Sequence, residues 1–236
     1  MFYIEGVRHV GEAILNDFPL EYIIYSPELL TADYGQEILA IASTKKIDLI
    51  QVTSDIFISF SMKEGPHGIA AVGHEKYFTL NDVEIKGLWI ALENIQDPGN
   101  MGSIMRSLDG AGGKGVILIG DSTDPYHPTA VRSSTGAIFY LPIIKSTITE
   151  FIGYKNKTSI FCAGSSCHSN TSFKEVDYPD SMVLVMGSEQ KGITELLERE
   201  CDILVNIPMA GKVDSLNLAN AASIVLFEIY TRRIKT

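Results

Sequence analysis

The 236-residue sequence is short of cysteine, of long apolar runs and of positive charge, and each shortage excludes a class of protein. Cys162, Cys167 and Cys201 form no Cys-x-x-Cys pair, so neither a disulfide framework nor a zinc knuckle is indicated. The run Cys162-Ala163-Gly164-Ser165-Ser166-Cys167-His168 reads as buried reduced thiols near a strand end, because tetrahedral zinc wants four ligands at tighter spacing. No metal is expected. No stretch of about 18 apolar residues exists, and the opening Met1-Phe2-Tyr3-Ile4-Glu5 has neither block of a signal peptide, so no membrane partner and a cytoplasmic location are expected.

Basic residues number 19 against 29 acidic ones, a formal charge of -10 that argues against indiscriminate binding to phosphate backbones. The imbalance is uneven. Residues 1–75 hold only Arg8, Lys45, Lys46 and Lys63 against eleven carboxylates, a balance of -7, and the remainder carries -3. Any RNA must therefore meet local basic patches rather than a general positive field.

What the chain does have is 45% hydrophobic content, in short apolar runs separated by helix-like stretches. That is the pattern of α/β proteins whose parallel strands are buried on both faces. Residues 22–25, 49–52 and 69–72 read as strands, with helices over 7–15 and 34–46, so residues 1–75 form a small α/β domain. A polar, aperiodic linker is expected over 76–86. A second domain follows over 87–236, with strands at 88–92, 116–119, 159–163, 183–186 and 204–207.

Three glycine-containing segments imitate better-known motifs. Gly110-Ala111-Gly112-Gly113-Lys114-Gly115 has GxGxxG spacing, but a dinucleotide site needs a strand before it and a helix after it. Here the order is reversed, so the glycines are read as ending a helix and turning the chain. Gly187-Ser188-Glu189-Gln190-Lys191-Gly192 has the spacing of a phosphate loop without its terminal Lys-Ser/Thr, which excludes a nucleotide triphosphatase. What remains is a turn exposing backbone donors and the Glu189 carboxylate, or a solvated surface loop. The third segment, Ile207-Pro208-Met209 through Asp214-Ser215-Leu216-Asn217, leads into a helix that is apolar around most of its circumference. Ser215 is its expected N-cap. Asn217 and Asn220 interrupt the apolar surface, and as buried amides they either bind a neighbouring loop or line a site.

A further stretch runs from Leu92 through Asp97-Pro98-Gly99-Asn100 to Arg106. Met101, Ile104, Met105 and Leu108 share one helical face. Arg106 lies about 150° from the centre of that stripe, placed for solvent, a partner or a ligand.

In their order and separations, Leu92 to Arg106, Met186 to Gly192 and Ile207 to Ala219 resemble the three motifs of the SpoU (TrmH-like) branch of the SPOUT-class RNA methyltransferases. Ala130-Val131-Arg132-Ser133-Ser134-Thr135-Gly136-Ala137 and Leu141-Pro142 extend the likeness over 87–233. Glu5-Gly6-Val7-Arg8-His9-Val10-Gly11-Glu12-Ala13 and His67-Gly68-Ile69-Ala70-Ala71-Val72 are similar to the two ends of the family's substrate-binding domain.

The resemblance implies a parallel-sheet domain with a deep trefoil knot, preceded by a small α/β RNA-binding domain. It implies S-adenosylmethionine held by Gly187, Ile207, Met209, Ser215 and Leu216. It further implies methylation of a ribose 2′-hydroxyl in RNA, ribosomal rather than transfer RNA, by a homodimer. Arg106 becomes the catalytic residue, with Asn100, Glu189, Ser215 and Asn217 around it. Because a guanidinium stays protonated, its expected work is to orient phosphate and hydroxyl, with Glu189 holding it through a bidentate pair.

Two other readings compete. One is a catalytically inactive RNA-binding protein of the same fold, which would bind no S-adenosylmethionine. The other is a doubly wound enzyme of small molecules, which the reversed order around residues 110–115 disfavours. Asp214-Ser215-Leu216 is not the elbow of a serine hydrolase.

Overall fold

A computed structural model describes residues 1–82 and 84–234. Residue 83 of the expected linker and residues 235–236 lie outside the described residues. The chain divides into two compact units, residues 1–76 with 125–140 and residues 77–124 with 141–236.

The first unit runs β1 (Phe2–Glu5), α1 (Val7–Leu15), β2 (Leu20–Tyr25), α2 (Asp33–Thr44), β3 (Asp48–Gln51), α3 (Ser54–Phe60) and β4 (Ile69–Gly73). Its sheet has the order β1-β4-β2-β3, with β4 antiparallel to both neighbours and β2 parallel to β3. Alternation sets the faces, since in β1 Phe2 and Ile4 are buried while Tyr3 and Glu5 are not. The sequence reading missed β1.

Residues 125–140, assigned by sequence to the second domain, pack with the first unit through Tyr126 and Phe139. Phe2 and Tyr126 have ring centroids 4.5 Å apart, and Phe18 and Phe139 5.2 Å apart. The Tyr126 hydroxyl donates to the Lys76 carbonyl at 2.8 Å and accepts from the Lys76 N–H at 3.0 Å. The short helix α5 (Pro128–Ser134) belongs to this unit.

The second unit contains β5 (Leu88–Glu93), α4 (Pro98–Gly110), β6 (Gly115–Ile119), β7 (Ile143–Ser146), α6 (Ile148–Thr158), β8 (Phe161–Ser165), β9 (Met182–Met186), α7 (Glu195–Glu200), β10 (Ile203–Val205) and α8 (Leu218–Arg233). Its six strands pair in parallel in the order β10-β8-β9-β5-β6-β7. All residues of β5, β6 and β9 are buried, which is why they read as continuous apolar runs.

The expected linker is partly structural here. Phe78 bridges to Ile144 beside β7, and Leu80 and Ile85 sit in the core. The glycines after α4 turn the chain as expected: Gly112 has φ 71°, and the Gly113 N–H closes on the Leu108 carbonyl at 2.8 Å.

Parallel strands place their carboxyl ends on one side of a sheet, and β10, β8, β9 and β5 are consecutive neighbours. The loops that follow these four strands are therefore gathered at one edge. The strand order also changes direction between β9 and β5, the position at which open α/β sheets form crevices.

Candidate active site

The loop after β9 is the most constrained part of the site. Ser188 and Gly192 exchange backbone hydrogen bonds at 3.1 and 2.9 Å, folding residues 188–192 into a tight turn. A Cβ on Gly187 would lie 1.9 Å from the Gly192 carbonyl carbon, so no side chain fits there. The end of the turn is fastened to β5 by Glu93, a carboxylate only 2% exposed, which accepts from the Thr194 N–H and the Thr194 Oγ1, both at 2.8 Å. Thr194 in turn caps α7. Sequence reasoning passed over Glu93; a lone carboxylate closing an otherwise apolar strand was the available signal.

Asn217 corrects the expected helix start. It, not Ser215, is the N-cap of α8, with its Oδ1 accepting from the N–H groups of Ala219 at 2.9 Å and Asn220 at 3.3 Å. Ser215 lies exposed two residues upstream. Asn220 is exposed as well and needs no protein partner, so the expectation that both amides are buried does not hold.

The remaining Asn217 donor fixes a longer chain. Its Nδ2 donates to Asn100 Oδ1 at 2.9 Å, and Asn100 Nδ2 donates to Glu189 Oε1 at 2.9 Å. Because helix N–H groups can only donate, Asn217 must present its oxygen to them, and the orientation of both amides follows. Asn100 is itself set on the first turn of α4, where Asp97 Oδ1 accepts from its N–H at 2.8 Å. Loops separated by about a hundred residues in sequence are thus joined through three side chains.

A cleft of about 340 Å³ opens between these loops. Gly187, Ile207, Met209, Ser215 and Leu216 all line it, as does Glu189. Asn100 and Asn217 do not line it but are tied to it, Asn100 by its hydrogen bond to Glu189 and Asn217 through Asn100. Met186, Ile193 and Leu218 add apolar wall, while Glu189, Glu198 and Asp214 supply three carboxylates against the single cation Lys191. Ser165, Ser166, Cys167 and His168, which follow β8, also line it. Their position at a strand's carboxyl end was the signal that they belong to a site. The expectation of uniformly buried thiols is corrected, since Cys167 is exposed and Cys201 half-buried, with only Cys162 buried.

Arg106 stands apart from this group. Its side chain is exposed on α4 and does not line the cleft. The expected pair with Glu189 is absent: Glu189 takes the Asn100 amide, and among the described residues Arg106 makes no ion pair. Among the described residues no cluster of three His, Cys, Asp or Glu could hold a metal ion, and no helix is long and apolar enough to cross a membrane.

A parallel sheet with a cleft at its carboxyl edge, walled by apolar side chains and carboxylates, is the arrangement in which an α/β protein holds a small organic ligand. The SpoU rRNA methylase family matches residues 87–227, and an MRM3-like substrate binding domain matches residues 1–71. The chain is 30% identical over 242 residues to a 23S rRNA (uridine(2479)-2′-O)-methyltransferase of Streptomyces viridochromogenes, covering 99% of this chain and 83% of that protein. Its fold is similar to that of an AdoMet-bound rRNA methyltransferase from Sinorhizobium meliloti, at a TM-score of 0.88 and 29% identity over 98% of this chain and 87% of the other. It is similar also to the SpoU methyltransferase AviRb from Streptomyces viridochromogenes in complex with AdoMet, at a TM-score of 0.87 and 29% identity over 99% and 91%. The chain belongs to the SpoU rRNA methylase family. It is an RNA methyltransferase.

Proposed function

We propose that the protein transfers a methyl group from S-adenosylmethionine to a ribose 2′-hydroxyl of ribosomal RNA rather than transfer RNA. The observation that carries the donor assignment is the charge of the cleft. S-adenosylmethionine bears a sulfonium and an ammonium, and three lining carboxylates against one lysine favour such a cation over a phosphorylated cofactor. The apolar residues Ile207, Met209 and Leu216 suit an adenine, and the immobile turn at Gly187 offers backbone groups to its edge. Bound there, the donor supplies an electrophilic methyl carbon.

The protein's own work is alignment. In-line displacement requires the hydroxyl oxygen to face that carbon along the breaking bond, and held geometry supplies much of the acceleration. The chain Asn217–Asn100–Glu189 fixes one wall of the cleft, with exposed Ser215 beside it. Arg106, exposed and without an ion pair, is left to orient an RNA phosphate and the 2′-hydroxyl. The preference for ribosomal RNA is supported by the family matched and by the 23S rRNA relative.

We further assign the loops after β9 and β10 to the crossing of a trefoil knot, a reading supported by the packing of α8 against α4, where Ser107 and Ser223 hydroxyls lie 2.7 Å apart. Residues 1–75 are assigned to RNA binding and the active form to a cytoplasmic homodimer. The dimer reading is supported by Ile224, Phe227 and Tyr230, which leave 39%, 44% and 37% of their surface exposed on α8.

Ribose methylations mapped in total RNA from cells with and without the gene test the proposal. One ribosomal 2′-O-methyl mark should vanish with the gene; loss of a transfer RNA mark instead would refute the substrate, and failure of S-adenosylmethionine to bind in calorimetry would refute the enzyme.

A further inference from the structure

The first unit poses a problem for an RNA-binding role, because its six lysines and arginines face eleven carboxylates. Those cations are not spread evenly. A second cavity, of about 190 Å³, lies wholly within this unit and is lined by Lys63, Arg132, His9, Tyr3, Glu5 and Met62 among others. Two of the six cations, Lys63 and Arg132, therefore line one hollow.

Their surroundings leave them available. Arg8 and Arg132 are exposed, and among the described residues none of Arg8, Lys63 and Arg132 forms an ion pair with a carboxylate. The one lining carboxylate is already engaged: Glu5 accepts from Ser61 Oγ at 2.6 Å and from the Met62 N–H at 2.9 Å. Lys63 Nζ is held near the mouth by the Glu5 carbonyl at 3.4 Å, and a Cβ on Gly6 would come within 2.6 Å of that ammonium. His9 hydrogen-bonds the Arg132 carbonyl at 3.3 Å, tying α1 to the segment that brings Arg132 in. The Tyr3 hydroxyl is buried beside the Glu5 carboxylate, and burial and that charge push it above the ordinary phenol range. His9 is pushed below the ordinary imidazole range by burial first, with Lys63 and Arg8 adding to it against the Arg132 carbonyl.

We propose that this cavity is a phosphate-binding site that grips one phosphodiester of the substrate RNA between Lys63 and Arg132. It is smaller than the clefts that enclose drug-sized molecules, about 300 Å³ and upward, but ample for a phosphate group. Two cations that form no ion pair with a carboxylate among the described residues match a phosphodiester, and the acidic surface around them confines RNA to that spot. The proposal rests on the RNA methyltransferase reading and assigns its substrate a contact within the first unit.

The test uses the full chain and ribosomal RNA purified from cells lacking the gene. RNA affinity is measured by filter binding at several salt concentrations for the parent, Lys63→Gln, Arg132→Gln, the double variant, the charge-retaining Lys63→Arg and, as a control on the same unit, Lys46→Gln. Each single loss should lower the slope of log affinity against log salt by about 0.7 to 1. The double variant should raise the KM for RNA roughly tenfold while kcat at saturating RNA and S-adenosylmethionine affinity stay unchanged; Lys63→Arg should restore the slope. Unchanged slopes in the double variant, or an equal loss in Lys46→Gln, would overturn the site. Inorganic phosphate is titrated separately while the His9 ring resonances are followed: binding there with no change in RNA slope would assign the cavity to free phosphate and overturn the RNA contact. If the parent methylates no RNA at all, the enzymatic reading fails, whereas methylation with unaltered salt slopes refutes this site alone.

Discussion

Asn217 separates structural from catalytic effects within one side chain. Its Oδ1 caps α8 and its Nδ2 begins the chain that ends on Glu189. Asn217→Ala removes both. Loss of an N-cap costs about 1 to 2 kcal/mol, and in a chain of this size each kcal/mol lowers Tm by about 2 to 4 °C, so a drop of roughly 2–8 °C is expected. Asn217→Asp keeps the cap, because a carboxylate accepts from the same two N–H groups and suits the helix N-terminus, so its Tm should stay within about 2 °C of the parent.

Its effect on Asn100 is different. The new carboxylate confronts the Asn100 Oδ1 with a second acceptor, and Asn100 can relieve this only by rotating its amide and giving up Glu189. A hydrogen bond to a charged group contributes about 1.5 to 3 kcal/mol, so at about 1.4 kcal/mol per decade kcat/KM should fall roughly 10- to 100-fold. Scanning calorimetry and methyl incorporation from labelled S-adenosylmethionine read the two effects. An Asn217→Asp protein that melts as early as Asn217→Ala, or methylates like the parent, would refute the reasoning.

Three further outcomes are expected. Arg106→Ala should lose nearly all methyl transfer while calorimetry finds S-adenosylmethionine affinity unchanged; undiminished methylation would remove Arg106 from the mechanism. Gly187→Ala should force apart a turn with no room for a Cβ, costing about 1 to 3 kcal/mol and weakening donor binding, with a parental dissociation constant as the contrary result. Burial pushes the Cys162 and Cys201 thiols up to about 12, so native protein at pH 8 should show one fast thiol, Cys167, to a disulfide reagent. With folded values above the unfolded value near 9, the stability they lend is intact below pH 9 and lost as pH rises toward 12, which denaturation midpoints across that range would check.

The α/β class and the helix ending at Gly110 were legible in the sequence, because buried parallel strands are continuously apolar and glycine marks turns locally; Gly187, Ile207, Met209, Ser215 and Leu216 were named from the motif resemblance, and Ser165, Ser166, Cys167 and His168 were not named as site residues at all. β1 and β7 were not read from the sequence, although β3 and β10, which are no longer, were. Nor was the placement of residues 125–140 in the first unit, which rests on Phe2, Phe18, Tyr126 and Phe139 meeting across more than a hundred residues. Sequence spacing pointed to Ser215 as the cap of α8, whereas the fold uses Asn217, because that is the side chain the backbone turns toward the first helical N–H groups. In the same way composition fixed a strongly acidic first unit, whereas only the folded chain decided that Lys63 and Arg132 line one cavity. Local physics acts between neighbours in sequence, and partners brought together by strand order are visible only once the strands have paired.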